Sequence, residues 1–144
     1  MIPVIDFIKK LSLSYSLACK SLCKEIGLPQ TAFDILMFLA NNPQYKRASD
    51  IVEVRHIKAN LVSINVDKLV KDGYLKRVPI ESDRRQIELV CLEKSNSVIE
   101  KGRKVQKNFF DILFSNVSED QKKEFTAVMT ILNNNLNLFL KERI

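Results

Sequence analysis

Apolar residues recur at helical spacing along most of this chain. Over residues 4–25, Val4, Phe7, Ile8, Leu11, Tyr15, Ala18 and Leu22 lie three or four apart, which predicts an amphipathic helix. Gly27 gives its stop, and Pro29 opens a second helix at a first-turn position. That helix carries Phe33, Ile35, Leu36, Phe38 and Leu39 before the turn signal Asn41-Asn42-Pro43. Being apolar nearly all round, it belongs in the centre of the core. Ser49 and Asp50 suit the cap of a short third helix running to Val54 or Arg55. After a turn at His56–Lys58, a fourth helix spans 59–71 with Val62, Val66, Leu69 and Val70 inward, and Gly73 ends it.

The period then changes from helical to alternating. Residues 74–78 read as a strand, 79–83 as a turn, and 86–92 as the returning strand with Ile87, Leu89 and Cys91 on one side. A long helix over 93–114 follows. Val98, Ile99, Val105, Phe109, Ile112 and Leu113 mark its apolar side, Lys101, Arg103, Lys104 and Lys107 its wet side, and Gly102 a close helix crossing. Ser118 and Gln121 form a capping box for a last helix striped by Phe125, Val128, Met129, Leu132, Leu136, Phe139 and Leu140. The first and last helices carry more apolar surface than one core of this size needs. A second copy of the chain is the natural cover.

Composition narrows the class. The chain has 144 residues, three glycines and four prolines, which fits one helical domain rather than an all-β or disordered chain. Its formal net charge of +6 favours an anionic partner without naming it. No apolar run reaches the roughly 20 residues of a membrane span, and Asp6 with Lys9 and Lys10 spoils a secretory signal. Cys19, Cys23 and Cys91 lack zinc spacing with the lone His56, so the reading is cytoplasmic, with no metal and no cofactor. Paired carboxylates in a cleft, a nucleophile–histidine arrangement and a glycine-rich phosphate loop are all missing from the sequence, which sets an enzyme aside and leaves no catalytic residue to name.

A helix with one buried face followed by a hairpin with a basic tip is a shape that fits DNA. With Val62, Val66 and Leu69 inward, the fourth helix offers Asn60, Ser63, Ile64 and Asp67 outward, flanked by Lys58 and Lys68. Asn60 can pair both edges of an adenine, Ser63 can reach base or phosphate, and the lysines suit phosphates. Ile64 either meets a thymine methyl or packs within the protein. Asp67 would repel phosphate, so its role is to orient a nearby basic side chain. On the hairpin, Arg84 and Arg85, with Lys76 and Arg77 behind them, suit phosphate and an A·T-rich minor groove. Asp83 would hold Arg85 extended. A solvated charged turn is the plainer alternative.

Three segments, GLPQTAFDILMFLA, LVSINVDKLVKDGYLKR and ESDRRQIELVCLEKS, resemble the MarR family of transcriptional regulators. The last resembles the family's wing signature, and Asp83 and Arg85 match its Asp and Arg. Cys91 and Leu92 stand where Leu-Thr is usual, Ser95 replaces a Gly, and His56 sits where a turn Gly is common. The resemblance implies a mainly α fold with a small β-hairpin wing (α+β). A winged helix-turn-helix core is flanked in it by N- and C-terminal dimerisation helices. Residues 1–144 then form a single domain, with 29–92 binding double-stranded DNA and 1–25 and 93–144 joining the homodimer.

The same resemblance implies a repressor on a near-palindromic operator, with helix 59–71 in the major groove and wing 76–90 at the minor groove. It also implies release by a small-molecule effector and suggests Tyr15, Phe33, Met37 and Phe109 as pocket-lining residues, against the plainer reading that they are core. Cys19 and Cys23 lie one helical turn apart, near Lys20 and Lys24 that would lower a thiol pKa. They read as a thiol switch or as packed, inert thiols. A rival function also stands: a winged-helix protein-interaction module without specific DNA binding, kept open by Ile64, Asp67 and the altered end of the wing.

Overall fold

A computed structural model describes residues 3–143. Among them the order is α1 (Val4–Ile26), α2 (Gln30–Asn41), α3 (Ala48–Arg55), α4 (Ala59–Lys71), β1 (Leu75–Ile80), β2 (Asp83–Cys91), α5 (Ser95–Leu113) and α6 (Glu119–Arg143). Two compact units are distinguished, one ending at Phe109 and one beginning at Phe110. No helix among the described residues is long and apolar enough to cross a membrane.

The first unit is built around α2, which packs against α1, α3, α4 and β2. Phe33, Ile35 and Leu36 have no exposed surface, and Met37, Phe38 and Leu39 are buried beside them. Ile51 of α3, then Val62, Val66 and Leu69 of α4, close the core from the far side, and Leu75 and Leu89 join it from the hairpin. Three residues of the inward stripe read for α4 are therefore buried, and the fourth, Val70, is partly buried against the same core. Asn65 is also buried on this helix, its Nδ2 donating to the Leu61 carbonyl at 2.8 Å.

The stops follow local chemistry. Gly27 takes φ 70° at the end of α1. Gly73 takes φ 83° after α4, where its N–H donates to Val70 and that of Tyr74 donates to Leu69. This paired closure of the last turn requires a left-handed residue that glycine supplies without strain. His56 ends α3 in the same left-handed region, at φ 58°. Gly102 does mark a close crossing: a Cβ there would lie 2.5 Å from Met37 Sδ and 2.9 Å from Phe33 Cε1.

Several sequence expectations need correction. Pro29 stands at the N-cap of α2, just before the first helical residue. Ser49 lies inside α3 and does not cap it. Asp50 does, from the third helical position, its Oδ2 accepting the N–H groups of Lys46 and Arg47 at 3.1 and 3.0 Å. The hairpin turn is shorter than 79–83. Pro79, Ile80 and Asp83 belong to the strands, and only Glu81 and Ser82 lie between. Proline fits a strand whose outer edge has no neighbour, because its missing N–H costs no ladder bond there. Helix α5 begins at Ser95, whose buried hydroxyl donates to the Tyr74 carbonyl at 2.6 Å.

In the second unit, the Ser118 N–H donates to Gln121 Oε1 at 2.9 Å and the Gln121 N–H to Ser118 Oγ at 3.2 Å. This is the capping box expected from sequence. Phe114 and Phe125 meet edge to face at 5.5 Å. No residue of α6 is buried.

Candidate nucleic-acid interface

Helix α4 has two unlike sides. Val62, Val66 and Leu69 are sealed in the core, while Asn60, Ser63, Ile64 and Asp67 are exposed. Lys58 precedes the first turn and is exposed as well. Ile64 is 63% exposed, so it is not packed against a neighbouring helix or the hairpin. An apolar side chain held in water on a face of polar ones contributes nothing to the core of this chain. Leu61, 41% exposed, is a second such residue that sequence reading passed over.

The charged side chains beside α4 divide into tethered and untethered. Arg77 on β1 pairs with Asp67 on α4 through its Nη2 and Asp67 Oδ1, which ties the hairpin to the helix. Lys68 pairs with Asp72 at 3.2 Å, four residues on and just past the last helical residue. Lys76 and Arg84 are exposed. Arg85 has a side chain 94% exposed, and Asp83 holds it by accepting its backbone N–H at 3.1 Å and its Nε at 3.4 Å. A cavity of about 460 Å³ separates α3, α4 and the hairpin, with Ser63 and Arg77 among its walls. On helix and hairpin together, the eight basic and polar candidates and the apolar Ile64 are all at least partly accessible.

Arg47 went unremarked in the sequence. Its Nη1 donates to Gln86 Oε1 at 3.0 Å, linking the start of α3 to β2. No local pattern announces a contact between residues so far apart in the chain. Arg103 is similar. Assigned to the wet side of α5, it donates to the Ala40 carbonyl and Asn41 Oδ1, both at 3.2 Å, and so closes the end of α2.

The four residues suggested as pocket lining sit differently from one another. Phe33 and Met37 are fully packed in the core. Tyr15 is half-buried and meets Phe109 edge to face at 5.4 Å, with Gln106 Nε2 donating to its hydroxyl at 3.0 Å. Burial pushes the Tyr15 hydroxyl up to about 12, against the hydrogen bond from Gln106. Beside it, burial raises Cys19 and pushes Cys23 up to about 11. The sequence expectation that Lys20 and Lys24 lower a thiol pKa is therefore reversed. Loss of water is the largest cause at both thiols, and neither lysine offsets it. Asp34, which sequence reading did not single out, faces the same cluster. Its Oδ1 is buried without a hydrogen-bond partner, and burial raises its carboxyl to about 6 despite the attraction of Arg55.

The comparisons with known proteins agree with this architecture. The MarR-family model matches residues 26–86, the stretch from the end of α1 to the middle of β2. The regulator PecS of Dickeya dadantii, of the helix-turn-helix type, is 30% identical over 131 residues, covering 88% of this chain and 77% of its own. BilQ of Clostridium symbiosum, likewise a transcriptional regulator, is 23% identical over 80% of this chain and 79% of its own. Among solved structures, a MarR-family regulator from Listeria monocytogenes in complex with a 26-mer DNA superposes with TM-score 0.86 at 16% identity, over 99% of this chain and 96% of its own. The MarR protein from Peptoclostridium difficile gives 0.83 at 20% identity over 99% and 93%. These superpositions establish the fold, and the sequence matches go further. Because they run through the winged helix-turn-helix and on along most of a regulator's length, the chain belongs to the MarR family, a family of transcriptional regulators rather than enzymes.

Proposed function

We propose that this chain is a cytoplasmic, sequence-specific DNA-binding regulator, acting as a homodimeric repressor on a near-palindromic operator. One observation carries the reading: α4 buries Val62, Val66 and Leu69 and leaves Asn60, Ser63 and Ile64 accessible beside an arginine-tipped hairpin. Helix α4 then enters the major groove. Asn60 pairs with adenine, Ser63 reaches base or phosphate, Ile64 meets a thymine methyl, and Lys58 and Lys68 contact phosphates. Arg84, Arg85 and Lys76 lie along the minor groove and its phosphates, with Asp83 orienting Arg85. Arg77, held by Asp67, offers its remaining donors to phosphate from a fixed position.

Dimer formation is supported by apolar faces that α1 and α6 each leave in water. Ile5 and Leu13 of α1 are 66% and 63% exposed, and Ile131 and Leu138 of α6 are 61% and 63% exposed. A twofold pair would present its recognition helices about one turn of duplex, roughly 34 Å, apart. Release by a small ligand, where it operates, enters at Tyr15 and Phe109, since Phe33 and Met37 are closed to solvent.

Selection of bound sequences from a random DNA pool with the purified protein tests the reading. Two related half-sites are expected, with affinity falling steeply as salt rises because several phosphates are neutralised together. Equal affinity for selected and random DNA at moderate salt would overturn it and pass the surface, with Ile64 at its centre, to a protein partner.

A further inference from the structure

The far end of the hairpin lacks the ladder that holds its root. Leu75 to Pro79 pair one by one with Cys91 to Ile87, but the next pair is Ile80 with Asp83. Arg84, Arg85 and Gln86 therefore have no residue opposite them, and strand pairing cannot set their direction. Side chains do so instead. The Asp83 carboxylate accepts from the Arg85 N–H, from Arg85 Nε and from Gln86 Nε2, the last at 3.4 Å. The other half of the Gln86 amide, Oε1, accepts from Arg47 Nη1 at 3.0 Å.

Arg47 is itself fixed where α3 begins. Its N–H and its Nε both face Asp50 Oδ2, at 3.0 and 3.7 Å. The carbonyl of the preceding Lys46 accepts the Leu89 N–H at 2.6 Å. A continuous polar chain thus runs from the cap of α3 through Arg47, Gln86 and Asp83 to Arg85. An uncharged amide serves both neighbours of position 86, donating to a carboxylate on one side and accepting from a guanidinium on the other.

We propose that Arg47 and Gln86 form a strut that aims the wing tip, making both positioning residues for contact of Arg85 with DNA. The inference rests on the DNA-binding reading above and adds residues that reading does not use. The strut acts before binding. It limits the directions the bulged segment samples, so less freedom is lost when Arg85 enters the groove. Glutamate at 86 would face the Asp83 carboxylate, and lysine would face the Arg47 guanidinium. Both replacements break the chain at one end.

The test compares wild type, Gln86→Ala, Gln86→Glu, Arg85→Ala and the Gln86→Ala/Arg85→Ala pair. The probes are a duplex selected by the wild-type protein and the same duplex with the A·T pairs beneath the wing changed to G·C. Residue 86 is exposed, so these changes leave the core intact. Gln86→Ala is expected to weaken binding about fivefold and to erase most of the A·T preference. In the Arg85→Ala background it should add less than about twofold, since the residue it aims is gone. Gln86→Glu should match or exceed the loss in Gln86→Ala. Backbone order parameters at residues 84–86 of the free protein should fall in both single variants at 86. An undiminished loss in the Arg85→Ala background, or unchanged affinity and A·T preference, overturns the strut while leaving DNA binding in place. A wild type that selects no sequence overturns the functional reading, and the strut with it.

Discussion

Helices α2 and α6 are both rich in large apolar side chains and meet opposite environments. In α2, residues 32, 33 and 35–39 are all buried, covered by α1, α3, α4 and β2. In α6, Phe125, Val128, Met129, Leu132, Leu136 and Phe139 are between 44% and 58% exposed. Periodicity states that a face is to be covered and says nothing of what covers it. For α2 the cover is local in the fold. For α6 the unit it belongs to does not supply it, since no residue of that helix is buried.

Truncation separates the two helices most sharply. Leu36→Ala removes a side chain with no exposed surface and should cost about 2–5 kcal/mol in urea unfolding, from lost transfer energy and the cavity left behind. Leu132→Ala with Leu136→Ala should leave the first unit's packing intact and instead raise the dissociation constant of the proposed homodimer at least tenfold in sedimentation equilibrium. If the α6 pair unfolds the protein as Leu36→Ala does, or leaves association untouched, the contrast is wrong.

Overpacking probes the same core from the other direction. Gly102→Ala places a methyl within 3 Å of Met37 and Phe33, and should destabilise by about 1–3 kcal/mol because α5 must move away from α2. An equivalent small-to-large change on the exposed face of α6, such as Ala127→Val, should cost under about 0.5 kcal/mol by thermal unfolding.

A smaller effect comes from Asp34 at the margin of the core. The folded protein keeps its proton up to about pH 6, against an ordinary value of 3.8 in the unfolded chain. The unfolded state therefore binds fewer protons between those values, so this residue makes stability fall as pH rises from about 4 to 6 and level off above. Asp34→Asn should remove that slope and gain about 1 kcal/mol at pH 7, a figure reduced for solvent screening at its partly open side. Melting temperatures of both proteins from pH 4 to 7 check it, and parallel profiles would refute it. Smallest of all, His56→Gly relieves a left-handed backbone that any residue with a Cβ adopts at a cost, histidine less than most. A gain near 0.5 kcal/mol in thermal unfolding is expected, the relief being partly offset by the freedom glycine adds to the unfolded chain.

Much of the helical frame was legible in the residues themselves. The first helix was expected over 4–25 and runs Val4–Ile26, the fourth over 59–71 and runs Ala59–Lys71, and the fifth over 93–114 and runs Ser95–Leu113. Spacing of apolar side chains, glycine stops and the Ser118–Gln121 box are local signals, written within one or two turns of where they act. The outward face of α4 was legible for the same reason: once Val62, Val66 and Leu69 point in, the geometry of a helix leaves Asn60, Ser63 and Ile64 outside.

At the hairpin tip the Asp83–Arg85 contact was legible, but the bounds of the turn were not. Pro79 is a turn residue by habit, and only its place on an outer edge lets it stay in a strand. What the chain determined alone is its set of amphipathic helices and the side each turns inward, because those follow from covalent neighbours and the repeat of the backbone. What folding decided is the company kept by its polar groups: Asp67 with Arg77, Gln86 with Arg47, and the Asp34 oxygen with none. Such pairings depend on distances between segments that are remote in sequence, and those distances exist only after the core has closed.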